Sequence, residues 1–175
     1  MKLAAAILSL LTWLSVGAGA ANAYCPGSDQ TSPTYNPNYY SVANEFARAQ
    51  YVVIARVTAT TWLGEDGRPT TLHGPFGNGG DAPSGFDPYL GAYYDLAVSR
   101  VFKGRPGSRL RLFSENTSGR FPLEPGQQYL LFVSTDTFEI IGAKRTIDAC
   151  GNSAPLESAQ DVLSAVERLS PRTSL

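Results

Sequence analysis

The sequence predicts a mainly β fold, a five-stranded closed barrel of the OB type with a short N-terminal helix and an amphipathic C-terminal helix, spanning residues 24–170 as one domain. Three observations predict it. Apolar segments, alternating or continuous, recur between Gly/Pro turns; one of them loses its phase midway, as a sharply bent strand does; and helical spacing occurs only at the two flanks. A β-sandwich is the alternative arrangement of the same elements.

The chain starts with Met1-Lys2, the apolar run LAAAILSLLTWLSV and small residues up to Ala23, the pattern of a signal peptide over residues 1–23. Export to a secreted or periplasmic location is therefore expected, with cleavage after Ala23 and a second small-residue site at Ala18-Gly19-Ala20. Tyr24 occupies the place before Cys25 where a lipoprotein signal needs a small residue, so no acyl anchor is expected. The apolar run is also too short for a spanning helix, and no membrane insertion is expected.

Residues 24–40, YCPGSDQTSPTYNPNYY, carry three prolines and four tyrosines without a period and read as an extended arm. Ser41 is placed to cap a short helix in SVANEFARAQ, where Val42/Phe46 and Ala43/Ala47 are i, i+4 pairs. YVVIARVTATTWL reads as a strand whose first half is apolar on both faces. Residues 64–91 form a Gly/Pro/Asp-rich loop longer than compact domains usually carry.

AYYDLAVSRVFKG resumes the alternation through Tyr94, Leu96 and Val98, then breaks phase at Ser99-Arg100, which predicts a bulge or bend. The turn Arg105-Pro106-Gly107 leads into SRLRLFSE with Leu110 and Leu112 inward. QYLLFVS is a continuous apolar run fit for a central strand, and TFEIIG is expected to be the last strand. From Pro155 to Leu169, Leu156, Ala159, Val162, Leu163, Val166 and Leu169 form one stripe. Glu157 is in the first turn and Arg168 in the last, as in a helix packed on the barrel, and residues 171–175 are a tail.

The 14 basic and 15 acidic side chains give a formal charge of −1, which becomes −2 once Lys2 leaves with the leader. That balance argues against a nucleic-acid or polybasic membrane surface. Cys25 and Cys150 are the only cysteines. In an oxidising compartment they are expected to pair, and closing so long a loop contributes about 4–5 kcal/mol in the chain-entropy account. Two thiolates alone lack the further His or Cys of a structural zinc site.

Four segments together resemble the tissue-inhibitor-of-metalloproteinases and netrin-module superfamily in its short bacterial form. They are FARAQYVVIARVTA; YDLAVSRVFKGRPGSRLRLF with its Lys-Gly turn; LEPGQQYLLFV after a Gly turn; and the late DACGNS before the last helix. The resemblance covers most of residues 24–170 and implies the OB-like fold. In the animal inhibitors it further implies an N-terminal cysteine whose α-amine and carbonyl sit on a protease zinc, in an arm held by a Cys-x-Cys pair. Here position 27 is Gly and position 23 is Ala, so that pair is absent. With Tyr24 as the first mature residue, the α-amine lies about 3.8 Å of chain from the position a leading cysteine would give it. Cys25 is then a staple and not a chelator.

No catalytic set can be assembled from the sequence. His73 is the only histidine and stands in the long loop without an evident base partner. Glu65, Asp66, Asp81 and Asp87 lack the regular close spacing of a hard-cation site, and Glu115, Glu124 and Asp148 fall at strand ends. The run GPFGNGGD lacks the helix and Lys-Ser/Thr of a phosphate loop. No enzymatic activity, metal or cofactor is expected.

Tyr35, Tyr39, Tyr40, Tyr89, Tyr93 and Tyr94, with Phe76, Phe86 and Trp62, flank the arm and the loop, where they either contact a partner or cover the core. Asn116 heads an NTS glycosylation sequon. The function these features favour is a binding module for a protein partner, contacted by Tyr24, Cys25 and Pro26 in the arm and by His73, Phe76 and Phe86 in the loop. Inhibition of a secreted metallopeptidase is one alternative, and a carbohydrate-binding or structural domain is another. A hydrolase is a third class, without the nucleophile, base and orienting group it needs.

Overall fold

β1 (Tyr51–Leu63) is apolar on both faces over its first half, and the architecture is built outward from it. In the computed structural model, which describes residues 39–70, 89–117 and 120–170, it follows helix α1 (Val42–Arg48). The strands β2 (Gly91–Lys103), β3 (Arg109–Glu115), β4 (Gln128–Phe138), β5 (Gly142–Ile147) and the two-residue β6 (Ala154–Pro155) come next, then helix α2 (Gln160–Leu169). All pairings are antiparallel, in the order β3-β2-β1-β4-β5, with β6 beside β4. One continuous sheet curls until β3 and β5 meet, giving the expected nearly closed five-stranded OB-like barrel and not a two-sheet sandwich. Successive antiparallel steps make β3 and β5 run in the same direction along that seam.

Two apolar clusters share the walls of the barrel. Val53, Ala55 and Val57 of β1 point inward with Leu96, Leu110, Leu112, Leu131 and Val133, while Val52 and Ile54 point outward. The outward residues meet Leu130 and Phe132 of β4, Ala159 and Val166, with Phe46 and Leu163 at the margin. The period of two in a strand sends neighbours to opposite faces, so a wall covered by helices must be apolar at every position. This is why β1 and β4 read as continuous runs.

The phase break in β2 has the predicted cause. Ser99 and Phe102 of β2, and Thr58 of β1, are skipped in the β1–β2 register. The bulged hydroxyls return to the opposite strand, Ser99 Oγ to the Ile54 carbonyl at 3.1 Å and Thr58 Oγ1 to the Asp95 carbonyl at 2.9 Å. The shift turns Phe102 into the helix-side cluster and leaves its neighbour Val101 exposed.

α1 is capped at both ends. Ser41 Oγ accepts from Asn44 N, and Lys103 Nζ donates to the carbonyls of Phe46 and Ala47 at 2.7 and 2.8 Å, where a cation also meets the negative end of the helix dipole. Gly104 must then pass close to the start of β1. A Cβ there would lie 2.5 Å from the Gln50 carbonyl oxygen, and its φ of +79° is left-handed. The Lys-Gly turn thus joins the barrel to α1 on physical grounds.

Two expectations need correction. TFEIIG is not a separate strand: Thr137 and Phe138 end β4, residues 139–141 form the hairpin tip, and the last barrel strand is β5. Hydrophobicity alone misplaced it, because β5 is polar at Lys144, Arg145 and Thr146. The final helix begins at Gln160 and not at Pro155, because Ala154 and Pro155 pair with Leu130 and Tyr129. Asp161, not Glu157, occupies its first turn.

Leu131→Ala empties a site inside the barrel that is fully shielded from solvent. Urea denaturation is expected to show a loss of about 2–5 kcal/mol, whereas Ile140→Ala at the exposed hairpin tip should stay within about 0.5 kcal/mol.

Candidate functional site

The turn that carries Cys150 is built by its own side chains. Asp148 Oδ1 accepts from Cys150 N at 2.9 Å, and the Asp148 carbonyl accepts from Gly151 N at 3.0 Å. Ser153 Oγ, buried, accepts from Phe132 N of β4 at 2.9 Å and anchors the far side of the turn to the barrel wall. Among the described residues there is no free cysteine.

Asn152 joins this turn to two other segments. Its backbone N–H and its side-chain Nδ2 both donate to Glu45 Oε2 of α1, each at 2.6 Å, and Nδ2 also donates to the Tyr40 carbonyl at 2.8 Å. Glu45 is 6% exposed, and a carboxylate so placed requires donors. Gly151 is what lets them approach: a Cβ there would fall 2.1 Å from Glu45 Oε1. Burial pushes the Glu45 carboxyl above its ordinary range, with the Asn152 hydrogen bonds acting the other way, Asp148 adding to the rise and Arg48 opposing it.

The base of the arm is fixed on the same cluster. Arg48 Nη2 donates to the Tyr39 carbonyl at 3.0 Å, and its guanidinium lies 4.0 Å from the centre of the Tyr39 ring. Tyr39 and Tyr40 pack edge to face at 4.8 Å. Burial, then the Asp148 charge, raises the Tyr40 hydroxyl above its ordinary value. A cavity of about 220 Å³ lies among Tyr39, Glu45, Arg48, Phe132, Ser134 and Asp148. Chemically, this rim can hold a chain segment against the barrel and offer a mixed polar and aromatic contact edge.

Of the residues expected to meet a partner, Tyr24, Cys25, Pro26, His73, Phe76 and Phe86 lie outside the described residues. Cys150 is in the rim turn, with Tyr39 and Tyr40 beside it. Tyr89 and Tyr94 are core side chains, Tyr89 edge-on to Trp62 at 4.9 Å, while Tyr93 is half-buried. Asp66 Oδ1 accepts from Arg68 N within its own turn at 3.0 Å. Asn116 of the sequon is engaged by the fold, donating through Nδ2 to the Tyr89 carbonyl and accepting from Arg120.

Sequence reasoning missed Glu45, Gly151 and Asn152. A signal for Glu45 was present: Val42, Glu45, Phe46 and Ala49 share one helical face, so a carboxylate falls on the stripe that packs inward. Among the described residues no group of three or more His, Cys, Asp and Glu side chains is placed to hold a metal, and no helix is long and apolar enough to cross a membrane. No protein-family model matches the chain, and no curated protein matches it.

Because its carboxyl titrates above the ordinary value, folded Glu45 takes up a proton at a pH where the unfolded chain is already ionised. Its contribution to stability is complete at low pH and declines as pH rises through the folded value. Glu45→Gln keeps an acceptor for Asn152 and removes that titration. Urea denaturation across mildly acidic to neutral pH should show wild type losing ground to the variant as pH rises, and parallel profiles would contradict this origin.

Proposed function

We propose that the chain is an exported, non-enzymatic binding module in which a Cys25–Cys150 disulfide staples an N-terminal arm to the rim of an OB-like barrel, presenting it to a protein partner. The observation that carries this reading is the position of Asn152, two residues after Cys150, which binds α1 through Glu45 and the arm's base through Tyr40 at once. In this reading a staple at Cys150 ties the contact residues Tyr24, Cys25 and Pro26 to a turn that is already hydrogen-bonded to α1. Preorganisation of this kind lowers the entropy lost on binding. The loop residues His73, Phe76 and Phe86 supply a second contact region in the same reading.

The resemblance to metalloproteinase inhibitors makes zinc-directed inhibition the specific alternative. The mature protein is expected to map as a single Cys25–Cys150 peptide pair with Tyr24 at its N-terminus, and to inhibit secreted metallopeptidases weakly or not at all. A chain starting at Cys25 should gain partial inhibition. Tight inhibition by wild type, abolished by acetylating its N-terminus, would replace the general binding role with inhibition. Two free thiols in protein recovered from its own compartment would refute the staple.

A further inference from the structure

A groove of about 500 Å³ lies where β3 approaches β5, away from the Cys150 turn. Tyr93 of β2 and Arg111 of β3 line it together with Lys144 and Arg145 of β5, Thr135 of β4 and Gln50 just before β1. Among the described residues, three cations and no carboxylate line it.

The charges are unequally compensated. Arg111 is held in a bidentate pair with Asp95, at 2.6 and 2.7 Å. Lys144 Nζ donates only to the neutral carbonyls of Ile141 and Ala143. Its cross-strand neighbour Asp136 accepts from Thr137 N at 2.8 Å and lines a separate cavity with Glu115 and Asp148. Arg145, exposed, lies over the Tyr51 ring at 5.6 Å. The ion pairs among the described residues are Arg68–Asp66, Arg100–Glu167 and Arg111–Asp95, so neither Lys144 nor Arg145 has an acidic partner.

The neutral lining adds donors. Thr135 Oγ1 donates to Gln50 Oε1 at 3.0 Å, which uses the amide's acceptor and leaves its N–H groups for a ligand. The Tyr51 and Tyr93 rings already carry the guanidinium groups of Arg145 and Arg111, both at 5.6 Å, so these faces are taken for stacking on a sugar. Guanidinium forks stacked on rings suit carboxylates.

We infer that this groove binds an acidic, Asp/Glu-bearing peptide segment of the protein partner, with Lys144 and Arg145 as its principal anion contacts. The inference rests on the reading of the chain as a protein-binding module and names a second contact surface for it. Carboxylates of an extended peptide recur at the spacing of a strand, and among the described residues no acid pairs with Lys144 or Arg145.

The test uses the mature, disulfide-intact protein and a fluorescein-labelled decapeptide of alternating Glu and Ser, read by anisotropy. Salt-sensitive binding is expected, with no binding of the matched Gln peptide. Combined Lys144→Gln and Arg145→Gln should weaken it by about tenfold or more. Arg168→Gln, on α2, should leave it within about twofold. An unchanged urea-denaturation midpoint of the double variant separates loss of charge from loss of folding. Failure of the peptide to bind, or binding indifferent to the double substitution, would overturn the groove assignment while leaving the arm to its own test. Binding of polygalacturonate in place of the peptide, abolished by the same double substitution, would overturn it in favour of an acidic glycan.

Discussion

Asn152 uses its backbone N–H and both side-chain N–H groups to hold the turn after Cys150 to α1 and to the base of the arm, which lie more than 100 positions earlier in the sequence. An unpaired carboxylate at the Glu45 position would be strongly unfavourable, since removing a buried charge from water costs several kcal/mol unless donors replace the lost hydration. The donors come from a single residue, whose approach depends on the missing side chain at Gly151. Ser153 completes the arrangement by accepting from β4. The short string Gly-Asn-Ser therefore determines where α1 sits, where the arm joins the barrel and how the rim is shaped.

The remainder of the fold supports that knot from below. β1 and β4 are apolar on both faces because their inner residues fill the barrel while Val52, Ile54, Leu130 and Phe132 seat the two helices. Lys103 and Gly104 fix the C-terminal end of α1 from the β2 side, and Ser170 Oγ bonds the Phe102 carbonyl at 3.2 Å, tying the end of α2 to the same strand. The exposed pair Arg100–Glu167 adds little beside these contacts, since both partners stay half in water. Carboxylates meet different fates across the molecule. Asp95, held by Arg111, ionises more readily than usual, whereas burial makes Glu45 harder to ionise.

The barrel was legible in the sequence because its signals are local: alternation in the strands, the phase break at Ser99, the Ser41 cap and the stripe through Val166. β5 was not, since a strand that carries Lys144, Arg145 and Thr146 at the seam has no hydrophobic signature, and the apolar hairpin tip at Ile140 and Ile141 imitated one. The start of α2 was hidden by Pro155, which suits a first helical turn but here pairs with β4. The rim was legible only in part. The sequence singled out Cys150 and the DACGNS string, and both fall in the rim turn. The roles of Glu45 and Asn152 depend on contact across 107 positions, which no local pattern encodes.

Coupling between α1 and the Cys150 turn is what holds the rim together. A double-mutant cycle with Glu45→Ala, Asn152→Ala and the pair, followed by urea denaturation under non-reducing conditions at neutral pH, measures it directly. The knot predicts strong non-additivity, a coupling of about 1–3 kcal/mol between two residues of one buried network. Losses that add to within about 0.5 kcal/mol would mean that the two side chains act independently and that something else holds the rim together.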